Sequence, residues 1–398
     1  MAFLKQRSLW IGLLAVVGVV MLFGLAMIGS VIGSKPKNVP VALVALDKGA
    51  VGANGVPVQV GEMMKQQLLT NDQLPVQFEI VSSVYEARAG LNEQRYYGAL
   101  ILPASLSENI TSIATPQPRS GQVDVLINEG VNMQASAFVQ HVLNEVTMRV
   151  NQQLHKQLTE SFKQQGEVKL TLDTAKALLQ PIQVNYETVH PIGSNHGGGN
   201  APNMLTQLAW ISSLAISLVL YVAVTRSTTN GGKRWLAICA QVSSGIVLTG
   251  IISGLILWMT VQWYGMETSN ATELWLILWL AGAVFFLLQS SLLNWLGLIA
   301  LPIIILLLFF SLPVLAMAPP FLPQATQDWL YAWTPLRFVA SSLRDALYFD
   351  TEGLSHAAVL WSLFTVCLAV VGTSVWRKAP APSEVSNSNQ PTLKNLYN

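Results

Sequence analysis

Charge is what this sequence has least of: 11% of its 398 residues are Asp, Glu, Lys or Arg, where soluble globular chains carry about a quarter. With 52% hydrophobic residues and a mean hydropathy of +0.44, the chain is not an ordinary cytosolic enzyme, and lipid must solvate part of it. Cysteine is scarcer still. Cys239 and Cys367, the two present, both fall in apolar blocks, which excludes a disulfide framework and a Cys-based metal site in any exposed part. The five histidines, at 141, 155, 190, 196 and 356, show neither an i, i+4 pair nor a carboxylate cluster at ligand spacing, so no metal site is expected. His190 and His196 read as solvated residues of a loop. There is no G-x-S-x-G, and Gly197-Gly-Gly199 lacks the Lys-Ser/Thr of a phosphate-binding loop, so neither catalytic residues nor a bound cofactor are expected. A net charge of +1 offers no basic surface for nucleic acid.

Two further absences divide the chain. Residues 34–205 hold 14 of the 21 acidic and 12 of the 22 basic residues but none of the 12 tryptophans. That stretch reads as a polar domain, and the remainder as membrane-embedded. Trp10, Trp235, Trp263, Trp275, Trp295 and Trp376 sit near the ends of apolar runs, where an amphipathic ring anchors at the headgroups.

A bilayer core about 30 Å thick requires roughly 20 apolar residues in a helix. Six stretches qualify: 9–32, 206–225, 235–262, 273–291, 295–317 and 357–376. Lys5 and Arg7, then Arg226, Lys233 and Arg234, then Arg377 and Lys378 flank them. Under the positive-inside rule all three groups are cytoplasmic, as an even number of spans demands. The loop 263–272 has no Lys or Arg and carries Glu267, which fits the outside. The uncharged connection Ser290–Asn294 leaves a re-entrant hairpin as an alternative there. The first apolar run is too long for a cleaved signal and reads as a signal anchor. The expected domains are therefore 1–33, cytoplasmic N-terminus and first span; 34–205, extracytoplasmic; 206–376, five further helices; and 377–398, a disordered cytoplasmic tail.

Within 34–205, strands are expected at 39–46, 75–81, 96–102 and 121–128, with helices near 59–70, 83–93 and 104–113. Such alternation makes an α/β sheet rather than a sandwich. Residues 131–165 lack Gly and Pro and read as one long helix. Its apolar residues Phe138, Val142, Val146, Val150, Leu154, Leu158 and Phe162 recur every fourth position, which winds the stripe around the rod. It is expected to pack on the sheet and then on a later helix, the alternative being a partner surface. The Gly-rich run between Pro191 and Pro202 reads as a flexible joint.

The spans have Gln207, Gln241 and Gln289 but no carboxylate deep in the bilayer, which argues against a proton-driven pump. Gly245, Gly250 and Gly254, with Ser213 and Ser217, let helices approach closely, either within the bundle or along a homodimer seam. Pro302 and Pro313 are expected to kink the fifth span. Thr334-Pro335 opens a helix over 335–348 with Thr as N-cap and Pro at N1. Its Leu336, Val339, Leu343 and Leu347 share one face, with Arg337 and Arg344 elsewhere. It reads as an amphipathic helix on the outer surface, serving as an anchor or as a lid over an exit path.

Val39-Pro-Val-Ala-Leu-Val-Ala-Leu-Asp-Lys-Gly-Ala50, Tyr96-Tyr-Gly-Ala-Leu-Ile-Leu-Pro103 and Asn128-Glu-Gly-Val-Asn132 resemble the ectodomain pattern of the YhgE/Pip family. Asn203-Met-Leu-Thr-Gln-Leu-Ala-Trp210 is similar to the entry of that family's second span. The resemblance covers nearly the whole chain and implies an α-helical membrane protein with six transmembrane helices. It implies a permease-like subunit of an ABC-2 type exporter in a bacterial, Gram-positive envelope, and the family includes members linked to phage infection and type VII secretion. The implied partners are the lipid bilayer, a second copy of the chain and a separate ATPase docking near Arg226, Lys233 and Arg234. This chain is shorter than many relatives, with only 131–180 available for their long coiled coil. The substrate expected is amphipathic or lipid-like, moved outward. The competing reading is a non-transporting surface protein that binds phage, cell-wall polymer or a secretion component.

Overall fold

The computed structural model describes residues 36–52, 56–71, 73–164, 171–229, 232–349 and 357–377, together with Val17, Gly18 and Met21. Those three apart, the expected first span lies outside the described residues, as do Lys5, Arg7, Trp10, His356, Lys378 and the tail.

The first half is a five-stranded sheet with helices on both faces. Its strands are β1 (Val39–Ala45), β4 (Val76–Val81), β5 (Gly98–Leu102), β6 (Gly121–Asn128) and β7 (Ile182–Val189), in the order β4-β1-β5-β6-β7. β1 pairs parallel with β4 and β5, β6 antiparallel with β5 and parallel with β7. β2 (Ala50–Val51) and β3 (Pro57–Val58) form a separate small hairpin. β1 is apolar throughout because both of its faces are covered. Val39, Val41 and Leu43 enter a core with α1 (Val60–Thr70), α3 (Leu106–Ser112) and α4 (Met133–Gln164), and Ala42 and Val44 enter another with α2 (Val84–Asn92). The hairpin, β7 and α5 (Leu172–Leu179) were not expected from the sequence.

Asp47, just past β1, ties two helices to the sheet. Its carboxylate accepts from Gly61 N and Ser107 N, both at 2.9 Å, and from Ser107 Oγ, which in turn accepts from Val60 N. These donors belong to the otherwise unpaired first turns of α1 and α3, where a negative charge is favoured. Asp47→Ala should cost about 3 kcal/mol, since it deletes several charge-assisted bonds at once. Hydrogen exchange on the full chain would show it as lost protection in the first turns of both helices; unchanged protection there would contradict this role.

On α4, Phe138, Val142, Val146, Val150 and Leu154 of the expected stripe all pack into the core of the α/β region. Ala135, Val139, Val142, Leu143, Val150 and Leu154 are buried against the sheet, with the spacing of threes and fours of an amphipathic helix. Phe138 meets Phe321 edge to face at 5.4 Å. Farther along, His155 Nδ1 donates to the Leu178 carbonyl at 2.9 Å, fastening α4 to the end of α5.

The second half is helical: α6 (Ala201–Thr229), α7 (Arg234–Trp258) with a π-helical end at Met259–Trp263, α8 (Ala271–Leu296), α9 (Ala300–Ala316), α10 (Pro335–Tyr348) and α11 (Ala357–Thr373). Among the described residues, four stretches are long and apolar enough to cross a membrane: Ala201–Thr229, Arg234–Trp263, Ala271–Ala316 and Ala358–Trp376. The 46-residue third stretch is two limbs. α8 runs straight through Ser290–Asn294, where a re-entrant turn was the alternative, and the chain turns instead at Gly297, whose φ of +71° suits glycine. α9 then returns, and Ala318 just beyond it lies in the core of the α/β region. Pro302 occupies the first turn of α9, where a missing N–H leaves no bond unmade, so only Pro313 is a proline inside that helix.

Candidate functional site

The five small residues expected at a helix seam all face α8 of the same chain. A Cβ on Gly245 would lie 2.0 Å from Phe286 Cζ, one on Gly250 3.0 Å from Trp279 Nε1 and one on Gly254 3.4 Å from Trp275 Nε1. Trp279 Nε1 donates to the Ile246 carbonyl at 2.8 Å and Trp275 Nε1 to the Gly250 carbonyl at 3.1 Å. Trp275 therefore holds α7 to α8. From α6, Ser213 Oγ donates to the Gly282 carbonyl (3.0 Å) and Ser217 Oγ to that of Phe286 (3.3 Å). These residues thus pack helices against one another within the chain.

The basic residues expected to receive an ATPase gather at the end of the helices remote from the sheet. Arg226 and Lys233 are exposed there. Arg234 is used internally: its Nε donates to the Ser374 carbonyl at 3.0 Å, while Arg377 Nη1 donates to the Asn294 carbonyl at 2.6 Å. Both cations thus satisfy carbonyls at helix ends, which otherwise lack partners. Asn294 Nδ2 donates to Gln241 Oε1 at 2.9 Å, pairing two buried amides between α7 and α8.

The other end is a junction, and here the structure corrects one expectation. The joint between Pro191 and Pro202 is ordered by bonds from its own residues. His196 is buried; its Nε2 donates to the Glu267 carbonyl at 2.7 Å, which in the neutral ring leaves Nδ1 to accept from the Tyr348 hydroxyl at 3.2 Å. His190 Nδ1 donates to Asn128 Oδ1 at 3.1 Å, and its ring lies 4.3 Å from that of Phe349. Neither histidine is a freely solvated loop residue. The glycines serve the tight path, since Gly197, Gly198 and Gly199 all have positive φ. The motif Asn128 to Asn132 holds the same junction. Asn128 Nδ2 donates to the Leu91 carbonyl at 2.8 Å, and Gly130 leaves room for Tyr348 and His190.

α10, expected as an amphipathic helix on the outer surface, packs at this same junction. Leu336, Val339, Ala340 and Leu343 are buried against the helices, and Tyr348 and Phe349 join the core of the α/β region. Thr334 is the N-cap residue and Pro335 the first helical residue, but the Thr334 hydroxyl donates back to the Leu330 carbonyl and makes no cap bond. Arg337 stacks between Tyr331 and Phe338, its guanidinium carbon 4.4 Å from each ring centre. Arg337 and Arg344 both line a cavity at the junction.

Among the described residues, no three of His, Cys, Asp and Glu come together to hold a metal ion. Another opening is lateral. A cleft of about 730 Å³ lies between α7, α8 and α11, walled by Ile246, Leu276, Trp279, Leu360, Trp361 and Phe364. Its polar lining residues, Asn270, Thr272 and Glu273, all cluster at the start of α8. The arrangement is amphipathic along its length: an apolar trough that accepts hydrocarbon, with hydrogen-bonding groups at one mouth.

The sequence model of the ABC-2 family transporter proteins matches residues 7–373. The chain belongs to that family. No curated protein matches this ABC-2 family member. A solved domain assigned to an ABC type-2 transporter of Thermotoga maritima MSB8 is similar at 15% identity and a TM-score of 0.26, over 37% of this chain and 84% of that one. Membership makes this a permease-like, multi-pass membrane protein of a transporter rather than an enzyme in the usual sense. The cleft, the tryptophans on α8 and the histidine junction were not identified from sequence as sites. Only the i, i+4 pair Trp275 and Trp279, set against glycines spaced four and five apart on α7, was there to find.

Proposed function

We propose that this chain is the membrane subunit of an ABC-2 type exporter that moves an amphipathic or lipid-like substrate outward, powered by a separate ATPase. The lateral cleft carries this reading, because its apolar walls and polar mouth match a molecule with a hydrocarbon part and a polar end. In this reading the run 9–32, α6, α7, α8, α9 and α11 make six spans of the cell membrane. Residues 34–205 are extracytoplasmic, 206–376 form the transmembrane domain, and both termini are cytoplasmic. The distribution of charge supports this: Arg226, Lys233, Arg234 and Arg377 lie at the end remote from the sheet, while Glu267 contacts the junction through Ser194 N at 3.2 Å. The YhgE/Pip-like motif at 128–132 lies at that junction. The core shared by the α/β region and α10 argues against spans that merely hold a receptor.

Leu276 is exposed and lines the cleft, so Leu276→Trp adds bulk to the trough without overfilling a packed core. Binding of a fluorescent alkyl-chain amphiphile to the purified chain in nanodiscs should weaken about tenfold, equivalent to ~1.4 kcal/mol. Unchanged binding would remove the cleft from the substrate path. Efficient disulfide cross-linking of a Leu276→Cys variant to a second cysteine placed within 9–32 would show that the chain itself fills the cleft.

ATPase docking is expected at the exposed Arg226 and Lys233, with Arg234 as their internal support. Arg226→Glu with Lys233→Glu should abolish co-purification of the ATPase and leave the melting temperature unchanged. An ATPase retained by the doubly reversed variant would place the contact elsewhere.

A further inference from the structure

A second cavity, of about 240 Å³, lies where the α/β region meets α9 and α10, and it shares no lining residue with the lateral cleft. Its polar wall consists of Arg337, Arg344, Ser341, Tyr97, Tyr331, Gln94 and Asn132, and among the described residues no carboxylate lines it. Asp345, next in sequence to Arg344, takes a hydrogen bond from Gln94 Nε2 and is not part of the lining. The ion pairs among the described residues join Lys65 to Glu62, Arg88 to Glu187, Arg95 to Glu93 and Arg149 to Glu145; neither cavity arginine has one. Arg337 Nε is buried without a hydrogen-bond partner.

Arg337 and Arg344 are both half-buried, and their guanidinium groups have donors to spare that an anion between them would satisfy. Their planar forks fit the oxygens of a phosphate. The stacking of Arg337 between Tyr331 and Phe338 fixes the plane of one fork in advance. Burial pushes the Tyr97 hydroxyl above its ordinary pKa, which keeps it protonated and able to donate.

We propose that this cavity binds a phosphate group, either free or as the headgroup of a lipid. Such a group bridges Tyr97, Gln94 and Asn132 of the α/β region to Arg337 and Arg344 of α10. It fastens the two regions together beside the histidine junction. The proposal stands whether or not the lateral cleft carries substrate.

The test uses the full chain in detergent, titrated by calorimetry with inorganic phosphate and, separately, with lysophosphatidic acid. Binding of both identifies a site satisfied by free phosphate, and binding of the lysolipid alone a lipid headgroup site. Arg344→Gln and Arg337→Gln should each weaken that binding about tenfold or more, and Arg88→Gln, at an exposed ion pair, should leave it unchanged. Without ligand, Arg344→Gln should melt at or above the parent temperature, because an unpaired charge has been removed. Absence of binding by both probes at millimolar concentration would overturn the proposal. So would binding insensitive to both arginine variants, or a ligand-free Arg344→Gln variant that melts well below the parent.

Discussion

Gly245→Ala is expected to destabilise the helical region more than any other single added methyl. The new Cβ would stand 2.0 Å from Phe286 Cζ, and Phe286 is fully buried. No rotamer change at position 245 relieves a Cβ clash, so either the ring or the helix must move. Overpacking of this kind costs about 1–3 kcal/mol, which outweighs the ~1 kcal/mol that alanine gains over glycine in a helix. Gly250→Ala should cost less, since its Cβ would meet the Trp279 indole at 3.0 Å, and Gly254→Ala should be neutral or stabilising at 3.4 Å from Trp275. Melting in detergent should therefore rank the three variants 245, 250, 254 from least to most stable. Phe286→Leu in the Gly245→Ala background should recover part of the loss. If all three melted alike, α7 would not be seated on α8 as described.

His196→Ala should open the junction. It removes a buried ring that bonds the Glu267 carbonyl and the Tyr348 hydroxyl, and it leaves both groups unpaired at a cost of about 2–3 kcal/mol. The loss should be local, since the sheet and the α7–α8 contact do not depend on it. Limited proteolysis of the full chain should then cleave within 191–200, where the parent resists. His196→Gln, whose amide can still donate to Glu267, should restore much of that resistance. Cleavage at equal rates in parent and alanine variant would mean that the histidine does not fasten the joint.

Much of this architecture was legible in the sequence because it depends on local periodicity. β1, β4, β5 and β6 are short apolar runs bounded by turns, α4 is a long stretch free of Gly and Pro, and the apolar blocks match α6 to α9 and α11 to within a few residues. β7 was not legible: IQVNYETV is polar enough to read as loop and is a strand because β6 pairs with it along eight residues. The site was less legible than the fold. Arg337 and Arg344 were identified as residues of an outer helix, yet what they face is set by Tyr97 and Gln94, more than two hundred residues earlier. Arg234 looked like a docking residue because its charge is visible in sequence and its bond to the Ser374 carbonyl is not.

By itself, the sequence determined where lipid must solvate the chain, since that follows from composition over some twenty residues at a time. It also determined that a sheet region precedes the helices and that the spans lack buried carboxylates. Only the tertiary structure decided the partners of the glycines, histidines and arginines. A side chain without a pattern of its own takes its role from whatever long-range packing brings within a few ångströms, and no local spacing encodes that.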